Sequence, residues 1–229
     1  WLNAAIARHL VIIFVLGGLQ GVLGWWMVKS GLIDNPDVSQ YRLTSHLLLA
    51  VIIHGYIFWL ALSFLGLNGQ NLYNGLIEIR LLQFLTLSTC IGIFLVMLSG
   101  GFVAGLNAGM IYNSFPLMDG KIIPDGLWSI KPWYLNLFEN VTMVQFNHRI
   151  LGIICSILVI STWLVAQRNK SKELSRHPFN LLLVLIILQI VLGVSALIMS
   201  VPVFLASFHQ VNALLLFTCA LWCLRSVKV

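Results

Sequence analysis

The stretch FNLLLVLIILQIVLGVSALIM, residues 179–199, decides the fold. It runs through 21 positions without one charged side chain. The hydrocarbon core of a bilayer is roughly 30 Å thick and takes about 20 apolar residues as helix. A strand of a membrane barrel would instead alternate polar and apolar residues over about ten positions, and LLLVLIIL at 181–188 does not alternate. Within lipid every backbone N–H and C=O must be bonded internally, so an unalternating run of this length spans as a helix.

Five further stretches share these properties, at about 6–28, 43–65, 81–106, 141–166 and 203–224. Apolar residues make up 59% of the 229 positions and charged residues 9%, with a mean hydropathy of +0.96. A soluble domain carries about 25% charged residues, so this chain cannot cover a water-facing surface. The predicted fold class is all-α: a polytopic membrane helical bundle.

The charges orient the bundle. Arg168, Lys170, Lys172 and Arg176 lie between the fourth and fifth spans, opposed only by Glu173. Such a loop stays on the cytoplasmic or matrix side. Alternation then places Arg8, Arg80, Arg225 and Lys228 on the same side, and the first, third and fifth loops outside. The net charge of +6 is accounted for in this way and does not indicate nucleic-acid binding. Residues 107–140 form one long outer loop with Pro116, Pro124, Pro132, Trp128, Trp133 and Tyr134, a composition that suits a segment on the membrane surface. Loops of this length are more often functional than not; a plain cover over the helix ends is the simpler alternative.

Cys90, Cys155, Cys219 and Cys223 all fall in apolar stretches and are read as small hydrophobic residues. Gly17, Gly18, Gly21 and Gly24 in the first span, and Gly101, Gly105 and Gly109 near the third, read as places of close helix approach. The chain opens on Trp1 with no basic stretch and cleavage site, and reads as part of a longer protein.

An internal repeat is visible. LQGVLG at 19–24 and LQIVLG at 188–193 are each followed by a loop and a span with a histidine near its outer end, His46 and His209. The second copy is preceded by two spans, and the later of these carries QFNHR at 145–149. The first copy is expected to be preceded by two equivalent spans, one bearing a histidine.

Six histidines occur: His9, His46, His54, His148, His177 and His209. His177 lies in a loop and His9 at an inner helix end, where solvation or an interfacial role suffices. Counting from Arg42, Glu139 and Pro202, His46, His148 and His209 lie about 6, 14 and 10 Å into the outer half of the bilayer. Two imidazoles at matched depth on facing helices make a natural bis-histidine haem site, and His148 with His209 is the complete candidate pair. A hydrogen bond to a neighbouring helix is the alternative for each. His46 has no partner of this kind here, because His54 shares its helix and His9 lies at the opposite surface. Arg149, costly within a span unless paired, and Arg42 are candidates for haem propionates; an interfacial anchor explains Arg42 equally well. The residues alone leave open an enzyme, a membrane cytochrome exchanging electrons with quinone, and a transporter with packing histidines.

The strings GGLQGVLGWWMVKSGL (17–32), YRLTSHLLLA (41–50), GGFVAGLNAGMIYNSFPLMDGKIIPDG (100–126), FENVTMVQFNHRILG (138–152) and FHQVNALLL (208–216) resemble the haem A synthases, in order and over most of the chain. The resemblance is to their proteobacterial and mitochondrial branch. It implies two pseudo-symmetric four-helix halves, with six of eight helices present. Residues 1–66 would be the latter two helices of the N-terminal, substrate half, 67–80 an inner linker, and 81–229 the complete C-terminal half. It implies oxidation of a ring methyl of haem O to a formyl group, giving haem A for terminal oxidases. His148 and His209 match the ligands of a resident haem b, and His46 matches one histidine of the haem O site. The other, with a catalytic glutamate, would lie in the two preceding helices. No catalytic residue is therefore assigned within this chain, which as it stands is expected to be inactive. Cysteines found in an outer loop of some members are missing from the loops here. Haem O synthase and cytochrome oxidase assembly factors are the implied partners, with membrane lipid around the bundle and homo-oligomerisation left open. The implied location is a bacterial inner membrane or a mitochondrial inner membrane.

Overall fold

The computed structural model describes residues 4–29, 38–66, 76–169 and 174–227. Lys170, Lys172, Glu173 and Lys228, used above for orientation, lie outside the described residues, as does most of the proposed 67–80 linker. Among the described residues seven α-helices follow in order: α1 (Ala4–Val28), α2 (Gln40–Phe64), α3 (Leu76–Gly105), α4 (Asn136–Glu139), α5 (Val141–Arg168), α6 (His177–Ile198) and α7 (Val203–Ser226). All but the short α4 are long and apolar enough to cross a membrane, and the six match the expected spans in order and position. Four begin earlier than expected, α1 and α6 by two residues and α2 and α3 by three and five. α2 takes in Arg42 from its third residue, and α3 takes in Arg80 as part of the helix rather than the preceding loop. The chain is an integral membrane protein of all-α class.

α3 packs with α5 and α6 with α7, and these two pairs pack on each other; α2 lies against α3 and α7, and α1 packs mainly on α2. The core between them includes Leu82, Ile93, Val159, Phe179, Leu182, Leu216 and Ala220, all buried. All four cysteines are free and buried, as expected of small apolar residues. α3 owes its close fit against α2 to two glycines. A Cβ on Gly105 would lie 2.6 Å from the Gln40 Cα, and one on Gly101 would lie 2.8 Å from Thr44 Oγ1. The glycines of α1 behave differently: at Gly17, Gly18 and Gly21 a Cβ would meet nothing within 4 Å, and only Gly24 makes a close approach.

Arg168, Arg176 and Arg225 lie at one end of the bundle, called inner here, and the 107–140 loop lies at the other. This loop is ordered by two buried asparagines. Asn136 donates to the carbonyls of Ile130 and Trp133, both at 2.8 Å, and accepts from the Ile130 amide at 3.0 Å. Asn140 donates to Gly126 O at 2.8 Å and Asn136 Oδ1 at 2.9 Å, while its own oxygen caps α5 through the Met143 amide at 3.2 Å. Asn113 donates to Leu197 O at 2.8 Å and so ties the loop to the outer turn between α6 and α7. On its exposed surface Lys121 bonds to Asp125, whose carboxylate holds the ammonium above its ordinary pKa.

Candidate functional site

Three helix pairs carry one arrangement near the outer end. In each pair the helix that starts at that end bears a histidine six or seven residues along it: His46 in α2, His148 in α5 and His209 in α7. At the helical rise the three lie at nearly one depth, about 9–10 Å from their helix starts. The match is closer than the sequence estimate, because α2 begins before Arg42 and α5 begins after Glu139.

The partner helix offers each histidine a polar side chain and a glycine. Gln20 of α1 donates from its amide nitrogen to His46 O at 3.1 Å, and the same nitrogen lies 3.4 Å from His46 Nε2. Gln189 of α6 places its amide nitrogen 3.2 Å from His209 Nε2. Ser99 of α3 places its hydroxyl 2.7 Å from His148 Nδ1. Each ring lies over a bare stretch of backbone. A Cβ would come within 3.1 Å of His46 Cε1 at Gly24, 3.3 Å of His148 Cε1 at Gly100 and 2.8 Å of His209 Cε1 at Gly193. The repeated LQxVLG thus has a reason. Its glutamine and glycine are four apart, one turn of one helix face, and both meet the histidine of the next span.

The two copies differ in what holds the glutamine. Asn212 donates to Gln189 Oε1 at 2.7 Å and to Leu185 O at 3.0 Å, which turns the Gln189 amide nitrogen toward His209. Three residues after His46 the corresponding position holds Leu49, and Gln20 Oε1 is buried without a partner.

The remaining candidates are placed as follows. Arg149 forks onto the outer loop, donating to Tyr112 O at 2.7 Å and Ser114 O at 2.9 Å, while its buried Nε has no partner. Arg42 donates to Trp26 O at 2.9 Å and lies 4.5 Å from the centre of the Trp26 ring. His54 bonds Thr218 Oγ1 at 2.7 Å across α2 and α7, and His9 bonds Tyr56 Oη at 2.7 Å across α1 and α2. His177 is exposed at the start of α6. His148 and His209 sit at nearly one depth on α5 and α7, two helices that both pack on α3 and α6. Sequence reasoning missed Ser99 and Asn212. A hydroxyl just before Gly100 and an amide one turn after His209 were the available signals.

The model of the COX15-CtaA family, described as a cytochrome oxidase assembly protein, matches residues 1–221. This chain belongs to that family. It is 50% identical over 92% of its length to the Heme A synthase of Nitrosospira multiformis. It is 43% identical over 99% of its length to that of Nitrosomonas eutropha, and 40% identical over its whole length to Heme A synthase COX15 of Bos taurus. The chain spans 58%, 64% and 56% of those three proteins, less than two thirds of each.

The family relationship raises the question of whether these residues suit a haem. Among the described residues no group of three or more His, Cys, Asp or Glu could hold a bare metal ion. Two imidazoles at one depth in one bundle suit a metal whose other ligands come with a macrocycle. His148 suits this role as it stands, since its Nδ1 is held and its Nε2 makes no hydrogen bond among the described residues. His209 suits it once the Gln189 amide gives way, because that amide now faces Nε2. The glycines beside both rings leave room for that adjustment. The donor set fits.

Proposed function

We propose that His148 and His209 are the axial ligands of a resident b-type haem, and that His46 is one of the histidines that receive haem O as substrate. The protein containing this chain would then be a haem A synthase, oxidising a ring methyl of haem O to a formyl group. Residues 1–66 belong to the substrate half, 67–80 link the halves, and 81–229 form the cofactor half. The observation that carries this reading is the recurrence of one Gln–Gly–His unit in α1/α2 and α6/α7, with a third histidine, His148, at the same depth on α5, which packs on α6 of the second copy.

A haem, when bound, supplies redox chemistry that no acid or base in this chain offers to an unactivated methyl group. The chain's own part is to bind and orient. His148 and His209 lie on α5 and α7, each packed against α3 and α6, so the ring positions are held by the bundle rather than by loops. Arg149, through its unpartnered buried Nε–H, is the cation we assign to a propionate ahead of Arg42, whose guanidinium is stacked on Trp26. The apolar outward side chains of α1, among them Val11, Phe14 and Val22, give the farnesyl tail of haem O a lipid-like surface. Haem O synthase, as the source of that substrate, and cytochrome oxidase assembly factors are the partners this role implies. The location it implies is a bacterial or mitochondrial inner membrane.

The test is pigment analysis of cells expressing the full-length protein together with a haem O synthase. Haem A is the expected product. Haem b alone would overturn the enzyme reading in favour of a bis-histidine membrane cytochrome serving quinone. His148→Ala and His209→Ala should each abolish the b-type spectrum of the purified protein, whereas His46→Ala should spare it and stop haem A formation.

A further inference from the structure

The three histidines are not held alike. His46 and His209 have buried Nδ1 atoms without a partner, and a glutamine amide faces Nε2 in each. His148 alone is held through Nδ1, by the Ser99 hydroxyl. A serine hydroxyl has one hydrogen. That of Ser99 is donated to the carbonyl of Val96, one turn back on α3, at 2.8 Å. With its hydrogen placed there, Ser99 Oγ accepts from the imidazole, and His148 Nδ1 then carries the proton and Nε2 the lone pair.

We propose that Ser99 is a positioning residue for the haem site: it fixes the tautomer of His148 so that Nε2 is the ligating nitrogen, and it sets the donor strength of that nitrogen. This rests on the haem reading above and adds to it the residue that makes one ligand unlike the other. The Nδ1–H···Oγ–H···O=C chain polarises along its length. An imidazole whose far N–H is bonded in this way is a more basic ligand and keeps one ring orientation. A stronger donor favours the oxidised metal. Gly100, next along α3, leaves the ring the space to take this pose. Ser99 touches neither metal nor substrate in this scheme and acts only through His148.

The experiment uses the full-length protein in detergent, as wild type, Ser99→Ala and Ser99→Thr, with haem content, haemin affinity and reduction midpoint measured for each. In Ser99→Ala the expected results are a midpoint shifted to more positive potential and haemin affinity weakened roughly 10- to 100-fold, the usual effect of losing such a partner. Ser99→Thr, which keeps the hydroxyl, should restore both toward wild type. A haem-bearing Ser99→Ala protein with unchanged midpoint and affinity would overturn the inference while leaving the haem site intact. So would a Ser99→Thr protein as impaired as Ser99→Ala, since a hydroxyl would then not be the feature that matters. A wild-type protein without a b-type spectrum would overturn the haem reading itself, and this inference with it.

Discussion

At the scale of single residues, glycine matters as much as histidine. A ring can lie against a helix only where that helix has no side chain in the way, and Gly24, Gly100 and Gly193 provide such places. The margins are unequal. A methyl on Gly193 would sit 2.8 Å from His209 Cε1, against 3.3 Å from His148 Cε1 for one on Gly100. Overpacking of this kind costs about 1–3 kcal/mol and moves the softer partner, here the imidazole. Gly193→Ala should therefore lower haem b content per protein much more than Gly100→Ala, as read from the absorption of purified full-length protein. Gly24→Ala, in the other copy, should spare haem b and lower haem A. Equal haem content in Gly193→Ala and wild type would show that the ring does not need that space. The sequence disclosed the histidines and the glutamine–glycine spacing, but not that Ser99 and Asn212 hold the second pair. Those two contacts join side chains on different helices, and periodicity along one helix does not report them.

Among the helices, the join between α2 and α3 depends on backbone approach. Gln40 Cα would be 2.6 Å from a Cβ on Gly105, so the obstacle there is main chain and cannot swing aside. Gly105→Ala should separate the two helices and lower stability by about 1–3 kcal/mol, seen as a lower melting temperature in detergent. Gly17→Ala is the matched control, since its Cβ would meet nothing within 4 Å and alanine is the better helix former. A melting temperature for Gly105→Ala equal to that control would refute the close-approach argument. Both glycine clusters look alike in the sequence as small-residue patterns. Which one packs depends on the neighbour, and the neighbour is a tertiary fact. The outer loop shows the same limit: its prolines and tryptophans announced a surface segment, yet its order comes from Asn136 and Asn140, each bonding carbonyls that lie apart in sequence.

For the whole molecule, the charged ends set the orientation. Arg168, Arg176 and Arg225 at one end and the 107–140 loop at the other give opposite exposures to the two sides of the membrane. Cysteine introduced at Lys121 should react with an impermeant maleimide in intact cells, while cysteine at Arg168 should react only after the cells are opened. The four cysteines of this chain are buried, and the parent protein without the introduced cysteine gives the background. The reverse labelling pattern would invert the topology and put the three histidines in the inner half. The six spans, their order and the repeat were determined by the sequence alone. An uninterrupted apolar run has one stable form in lipid, and the duplicated LQxVLG is written in consecutive residues. Only the tertiary structure decided that the three histidines share one depth, that each rests on a glycine, and that His148 is held by a hydroxyl while His46 and His209 face amides. Those facts depend on where one helix starts relative to another and on which faces meet, and packing across the bundle sets both.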